Sequence, residues 1–496
     1  MVFYGVFFTL QVSAQEKTGI TLSNYSGINA VFLNPSFTSN SKLFADINVL
    51  SGGVFIDNNF VFIHKEDYKV LSFFKKNPSL PGIETRGEGL DYSLDGKPVN
   101  GLVRGEIYGP GFSISTGKNT FGFTSKVSSI TSIEDFPYDA AVMMFEGLDY
   151  DSLLGVNIKG GNFETPSITW WELGGHYSRI FSEKNRNVWS FGVNVRKLFS
   201  WAGAYASGNG IDYTIDDELV TYLDSNNNVV TTNIYNLELE YLDAQAAFSI
   251  PLDYDSLFIP TRRGDFKGSG WAGDIGFTFR KNRNPANNYR HRRPCENEYE
   301  DYIYKIGFSI IDIGKIVLKK NVVFLQYNNV TAYWRNIDDL TYENINQVTK
   351  EINYQLTGDS LSSASQSDFA IGLPASISFQ GDFQYYPKWY LSAAVILPVK
   401  IGEIQLKRAS QALMLVRYET SAFEFGIPVS LYNFKDPRIG IYARFNYFTV
   451  GTDKLGGFFG FNDFYGLDFY FAVKFHILKG VCRTTKSPNN CNHLGF

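Results

Sequence analysis

The stretch Tyr465-Gly-Leu-Asp-Phe-Tyr-Phe-Ala-Val-Lys-Phe-His-Ile477 alternates without a break. Tyr465, Leu467, Phe469, Phe471, Val473, Phe475 and Ile477 fall on one face of an extended chain, and Gly466, Asp468, Tyr470, Ala472, Lys474 and His476 on the other. A period of two means a strand whose faces meet two different surroundings. A large aromatic face sustained over about a dozen residues matches one tilted crossing of a bilayer. The stretch reads as a transmembrane β-strand.

Other segments repeat the pattern. Trp189, Phe191, Val193 and Val195 alternate with Ser190, Gly192, Asn194 and Arg196; Ile377, Phe379, Phe383 and Tyr385 alternate with Ser376, Ser378, Gln380, Asp382 and Gln384. Ile439, Ile441, Ala443, Phe445 and Tyr447 likewise oppose Arg438, Gly440, Arg444 and Asn446. A first hairpin over 43–65 and strands at 103–116, 120–130, 168–181, 187–200, 235–250, 271–281, 302–313, 373–386, 389–400, 411–421, 422–433, 438–450 and 465–477 complete the set. With the even-number habit of single-chain bacterial barrels, the expectation is an all-β, antiparallel transmembrane β-barrel of about 14 strands. Tight turns at 117–119 and 182–187 contrast with long connections at 131–167, 201–234, 319–368 and 452–464, as short periplasmic turns contrast with long outer loops. Apolar Leu340, Ile345, Val348 and Ile352 predict a short amphipathic helix over 338–352.

Composition agrees. The 496 residues are 16% aromatic and 44% hydrophobic, with 45 Gly and 3 Cys, and mean hydropathy lies near zero. Lumen-facing polar residues that cancel lipid-facing apolar ones give such a balance. Beyond the first dozen positions no run of about 20 apolar residues exists, which excludes a helical membrane protein. A net charge of -5 implies no nucleic-acid partner. Residues 1–14, an apolar run ending in Val12-Ser-Ala14, read as a secretory signal, although the basic start is missing. Residues 15–42 follow as a luminal plug, too rich in Gly, Asn and Pro for a strand. The barrel then covers 43–477, and 478–496 form a periplasmic tail.

By alternation Glu172, His176, Arg196, Asp274, Arg417, Glu419, Arg444 and Asp468 face the lumen, together with Arg280, Lys305, Asp382 and Lys474. Charges of both signs pair across strands and pin a plug, whereas a selective pore carries a ring of one sign. His176 and Ser178 share a face at the spacing of a catalytic pair, but that face is the lumen, where no lipid ester would be presented, so a hydrogen-bonded network is the reading. Arg280, Arg283 and the run Arg290-His-Arg-Arg293 suit either lipid phosphates or a solvated turn. Cys482 and Cys491 in the tail suit a disulfide in an oxidising periplasm, with zinc shared with His493 as the alternative. No dinucleotide, Walker or metal-ligand spacing appears, so no cofactor and no metal are expected, and no enzyme.

The segment Ala30-Val-Phe-Leu-Asn34-Pro35-Ser36 resembles the start of the long-chain fatty-acid transporter (FadL-like) barrels, whose N-terminal plug carries Asn-Pro-Ala; here Ser36 replaces the Ala. The resemblance implies that Asn34, Pro35 and Ser36 belong to a plug or gate. Gly270-Trp-Ala-Gly-Asp274, Leu373-Pro-Ala375, Arg417-Tyr-Glu419, Gly426-Ile-Pro428 and Gly451-Thr-Asp453 are similar to a Bacteroidota outer-membrane barrel family of unknown function, a relative of that superfamily. That likeness implies a plugged barrel of about 14 strands and brings no activity.

Two expectations follow. One is uptake of a hydrophobic small molecule through a plugged barrel in the outer membrane, surrounded by outer-membrane lipids. It requires apolar residues turned inward near the outer end and a gap in the wall. The other is a non-transporting accessory subunit of an outer-membrane secretion or assembly complex, to which the absence of an evident apolar lumen stripe points.

Overall fold

A computed structural model describes residues 17–65, 89–223, 228–255, 265–283, 301–338, 344–360, 364–365, 367–456 and 463–478. The expected signal segment, the Arg290–Arg293 run and both Cys482 and Cys491 lie outside them.

Fourteen antiparallel strands close into a barrel. They are β1 (Ala45–Asn58), β2 (Val99–Tyr108, continuing as Gly111–Thr116), β3 (Asn119–Phe136), β4 (Ser167–Lys184) and β5 (Asn187–Leu223). Next come β6 (Gly268–Asn282), β7 (Tyr302–Leu318), β8 (Phe369–Gly372, continuing as Ser376–Tyr386), β9 (Trp389–Pro398) and β10 (Gln411–Glu419). The last four are β11 (Phe423–Tyr432), β12 (Asp436–Ile439, continuing as Ile441–Phe445), β13 (Phe448–Thr452) and β14 (Asp468–Ile477). β14 pairs back on β1, with Ile47 opposite Phe475 and Val54 opposite Phe469. Closure removes the unpaired edges that an open sheet would present.

The two faces of β14 part as the sequence requires: Asp468, Tyr470, Ala472 and Lys474 are buried inside, while Phe475 and Ile477 are exposed outside. Trp189, Phe277, Phe379, Val416 and Ile427 add to the outer apolar surface. Five tight turns (117–118, 185–186, 387–388, 420–422 and 446–447) gather at one end, here the turn end, together with the longer connection 283–301; the other, the loop end, carries the remaining long connections and the short turn 433–435.

The structure departs from the sequence reading at several places. No hairpin forms over 43–65: β1 pairs with β2 and β14, and Val61–Ile63 pairs with Leu90–Tyr92 in a separate small sheet. The 438–450 stretch is two strands, β12 and β13, turned at Asn446, whose φ of 48° suits the left-handed tolerance of Asn. The supposed loop after 200 is a strand, because β5 runs on to Leu223 and pairs with Val229–Ser249. Val323–Trp334, inside the supposed connection 319–368, pairs with Val229–Ser249 in turn. These segments make a three-stranded arm beyond the barrel at the loop end. The amphipathic helix exists but is displaced, at Ile345–Thr357, where Asn344 caps it by accepting the Gln347 N–H at 2.9 Å.

Candidate functional site: a filled lumen in three layers

Along β5 the inward side chains read, from the turn end, Ser190, Gly192, Asn194, Arg196 and Leu198, all five buried. These positions mark three layers: a polar cradle, a charged floor and an apolar cap.

Residues 17–43 lie in the cradle, nearly all of them buried. Ser23 donates to Glu424 at 2.7 Å, Asn24 to Glu419 at 3.2 Å and to Tyr302 at 2.9 Å, and Asn40 to Ser190 at 2.6 Å. Lys42 pairs with Glu419 at 2.9 Å. At the segment's far end Lys17 meets Glu106 at 3.0 Å, and Thr18 donates to Asp453 at 2.8 Å. Burial pulls the Lys17 ammonium down to about 8 although Glu106 opposes the shift. Partners therefore come from strands all around the wall.

Asn34, Pro35 and Ser36 sit against a notch made by three glycines on neighbouring strands. A Cβ on Gly192 would strike Pro35 and Ser36, and one on Gly276 or Gly307 would strike Asn34. Only glycine lets the backbone of β5, β6 and β7 come this close. The Asn34 amide donates to Gln380 at 2.9 Å and to the Phe277 and Phe308 carbonyls at 3.3 Å. Its Oδ1 caps the short helix Pro35–Asn40 by accepting the Ser36 N–H at 3.0 Å. Ser36 contacts the Thr278 hydroxyl, and Ser309 donates to the Leu33 carbonyl at 2.7 Å.

The eight lumen residues named from alternation divide into separate groups. Arg196 binds Glu172 at 2.9 Å and Asp274 at 2.6 Å, with Asp312 as third carboxylate at 2.8 Å. Arg417 binds Glu419 at 3.1 Å and Asp382 at 2.8 Å, nearer the turn end. Arg444 pairs with Glu424 at 3.1 Å. Asp468 accepts the Asp453 N–H. His176 Nε2 lies 2.7 Å from the Thr38 hydroxyl, whereas Ser178 donates to the Phe191 carbonyl at 3.0 Å. The pair is thus divided between the plug-like segment and the wall. Arg280 is also buried, on an inward position of β6, so it is not part of a basic surface patch.

Alternation missed Glu106, Lys126, Glu424, Asp453 and Arg408. Glu424 was legible, since Glu424, Gly426, Pro428 and Ser430 share one face. Asp312 was not: it has φ 59° at an irregularity of the β6–β7 ladder, after which the inward parity of β7 changes from odd to even. A bulge re-aims side chains in this way.

The cap is an apolar lumen surface although no strand carries an apolar stripe. Phe55, Leu102, Ile130, Trp170, Leu198, Ile316, Ile371 and Leu373 turn inward from β1 to β8 and form one buried cluster with Leu406 and Tyr432. Leu406 comes from the connection 399–410, a strap across the mouth. The Leu406 N–H donates to the Gly372 carbonyl at 3.0 Å on one side, and the Lys407 N–H to Ser132 at 3.1 Å on the other. Arg408 drops from the strap to Asp312 at 2.8 Å, joining cap to floor. On the remaining side of the mouth Asp57 holds Arg438 at 2.7 Å and Lys454 at 2.8 Å.

The wall has a discontinuity beside the cap. β8 stops at Gly372 and resumes at Ser376, and Pro374 between them has no N–H to give the ladder. Opposite it stands the Asp312 irregularity of β7.

The fold and its filled lumen define a closed antiparallel barrel with an internal N-terminal segment. The chain belongs to DUF5723, a family of unknown function, whose match runs over residues 35–453. No curated protein matches it. Among solved structures it is similar to a monoaromatic hydrocarbon channel, the TodX deltaS2S3 mutant, at 9% identity and TM-score 0.38, over 91% of this chain and 94% of that one. Likeness to the Pseudomonas putida toluene transporter TodX has 9% identity and TM-score 0.32, and to the CymD monoaromatic hydrocarbon channel 7% and 0.32; each covers 94% of this chain and 98% of the other. The architecture stands on this chain's own strand pairing.

Proposed function

We propose that this protein is an outer-membrane barrel that takes up a hydrophobic small molecule, with its loop end outward and residues 17–42 acting as a plug. The observation that carries the reading is the inward apolar cluster beneath the 399–410 strap, placed beside the β7–β8 discontinuity. An apolar ligand gains by leaving water for such a surface. Below it the path down the axis is closed by buried ion pairs and by the plug, so an apolar ligand loses least by leaving sideways, past Leu373–Ala375 into the bilayer. Arg408, bonded to Asp312 at 2.8 Å, guards that exit. Asn34, Pro35 and Ser36 fix the plug in this account.

The test is chemical. Purified protein should carry an apolar compound at close to one per chain, identified by mass spectrometry of the extract. It should also speed transfer of N-phenyl-naphthylamine into liposomes, and Leu373→Trp should slow that transfer. An apolar-free protein that transfers no probe would sink the uptake reading. The second reading, an accessory subunit of an outer-membrane complex, is supported by the three-stranded arm, which exposes Leu219, Leu223, Val229 and Tyr333. It would then be pursued by pull-down.

A further inference from the structure

At the loop end, on the side of the mouth that the apolar cluster leaves open, lies a cavity of about 850 Å³. Its size falls within the usual range for small-molecule sites. Its lining differs in kind from the apolar cluster. Four carboxylates, Asp57, Asp95, Asp436 and Asp463, stand among four cations, Lys65, Lys407, Arg438 and Lys454. The formal charges cancel, four against four. They also neutralise one another locally: Asp57 takes Arg438 and Lys454, and Lys97 holds the Asp95 carboxyl below its ordinary range. An ionic ligand would find no net field here to repay the loss of its water.

Hydrogen-bonding capacity is nonetheless dense. Amides at Asn58, Asn59, Asn100 and Asn433 and the Ser93 hydroxyl join the ionised groups. Asn58, Asn59 and Asn100 spend part of their capacity on the surrounding chain, while each ionised carboxylate offers several acceptor sites. Between these groups stand flat apolar surfaces: the Tyr465 ring, Ile439 and Leu455. Donors and acceptors in mixture, no net charge, and an aromatic face for C–H contacts suit one ligand chemistry.

We propose that this cavity binds a neutral, polyhydroxylated ligand, a carbohydrate chain. Hydroxyls serve as donor and acceptor alike and meet both halves of the lining, and the C–H faces of sugar rings lie on the tyrosine. The cavity borders the apolar cluster at Leu102 and Tyr432, but the ligand chemistry read from its polar lining does not rest on uptake.

The full chain in detergent is presented to an array of neutral hexose, hexosamine and deoxyhexose oligomers, with polyuronate oligomers and octanoate as charged and apolar comparisons. Hits are titrated by calorimetry. Binding of neutral oligomers is expected, unchanged between low and high salt because no charge is neutralised. Asp436→Leu and Lys65→Leu, both at exposed positions, should each weaken it about fivefold, the cost of roughly one hydrogen bond, while the barrel's melting stays unchanged. Free oligomers and the same chains on glycolipid vesicles separate the two sources: capture from vesicles alone assigns a surface glycolipid, and capture of both assigns a free glycan. Silence of every neutral oligomer in both arms, preference for polyuronate or octanoate, or binding indifferent to both substitutions would overturn the proposal.

Discussion

The two halves of the lumen are filled by opposite means. The N-terminal segment is held by named polar partners: Asn34 by Gln380, Asn24 by Glu419 and, at its far end, Lys17 by Glu106. Toward the loop end the strap combines backbone bonds and the Arg408–Asp312 pair with the burial of Leu406 in an apolar cluster that a side chain of similar volume would satisfy. A polar match of this kind is costly to break, because every separated buried group is left without its partner. An apolar contact can re-form around a different apolar body. The half around the N-terminal segment is built to stay, and the strapped half to yield.

The comparison breaks most severely at the charged floor between the halves. Arg196→Met leaves Asp274 buried without its cation and Glu172 and Asp312 with only Lys126 and Arg408, at a cost of about 3–5 kcal/mol. Its heat-modifiable gel transition in detergent should fall well below that of the wild type; an unchanged transition would mean that the floor is hydrated and weak. Less severe is Leu406→Ala in the cap, which removes about 2 kcal/mol of burial because the strap can settle into the space. Its mark is local: proteolysis within 399–410 should quicken while the gel transition barely moves. Comparable in cost is Gly276→Ala, whose methyl group strikes the Asn34 amide at about 1–3 kcal/mol, since moving that amide breaks its bonds to Gln380 and the wall carbonyls. Hydrogen exchange over 17–42 should quicken with the cap unaffected. Equal quickening in both halves would show that they form one unit.

The sequence shows the wall better than its contents, for a physical reason. Alternation survives where the two faces of a strand meet lipid and a polar lumen, as at β5 up to Leu198 and throughout β14. Beyond the barrel both faces of β5 are partly exposed, as at Asp216, Asp217 and Leu219, so the period carries no contrast and 201–223 passes for a loop. The strands read from the sequence number 15 with the hairpin, brought to 14 by the even-number habit, and three corrections give the same 14: 43–65 supplies one wall strand instead of two, 235–250 belongs to the arm, and 438–450 is two wall strands. Inward charges were legible by parity up to the bulge at Asp312, where parity changes. The apolar cap escaped notice because its members, one or two per strand, lie far apart in the chain and in no strand form a stripe. Lys17 and Lys42 carry no periodic signal at all, being in a segment of short turns.

We propose that the lumen is closed twice in series, by the N-terminal segment and by the strapped cap. Planar-bilayer conductance tests it on four proteins: the wild type, a variant lacking residues 23–42, a variant with 399–410 replaced by a short turn, and the combination. Steady conductance is expected in the combined variant alone, with brief openings at most in each single one. Steady conductance on removal of either element alone would contradict closure in series, and silence of the combined variant would contradict closure by these two elements.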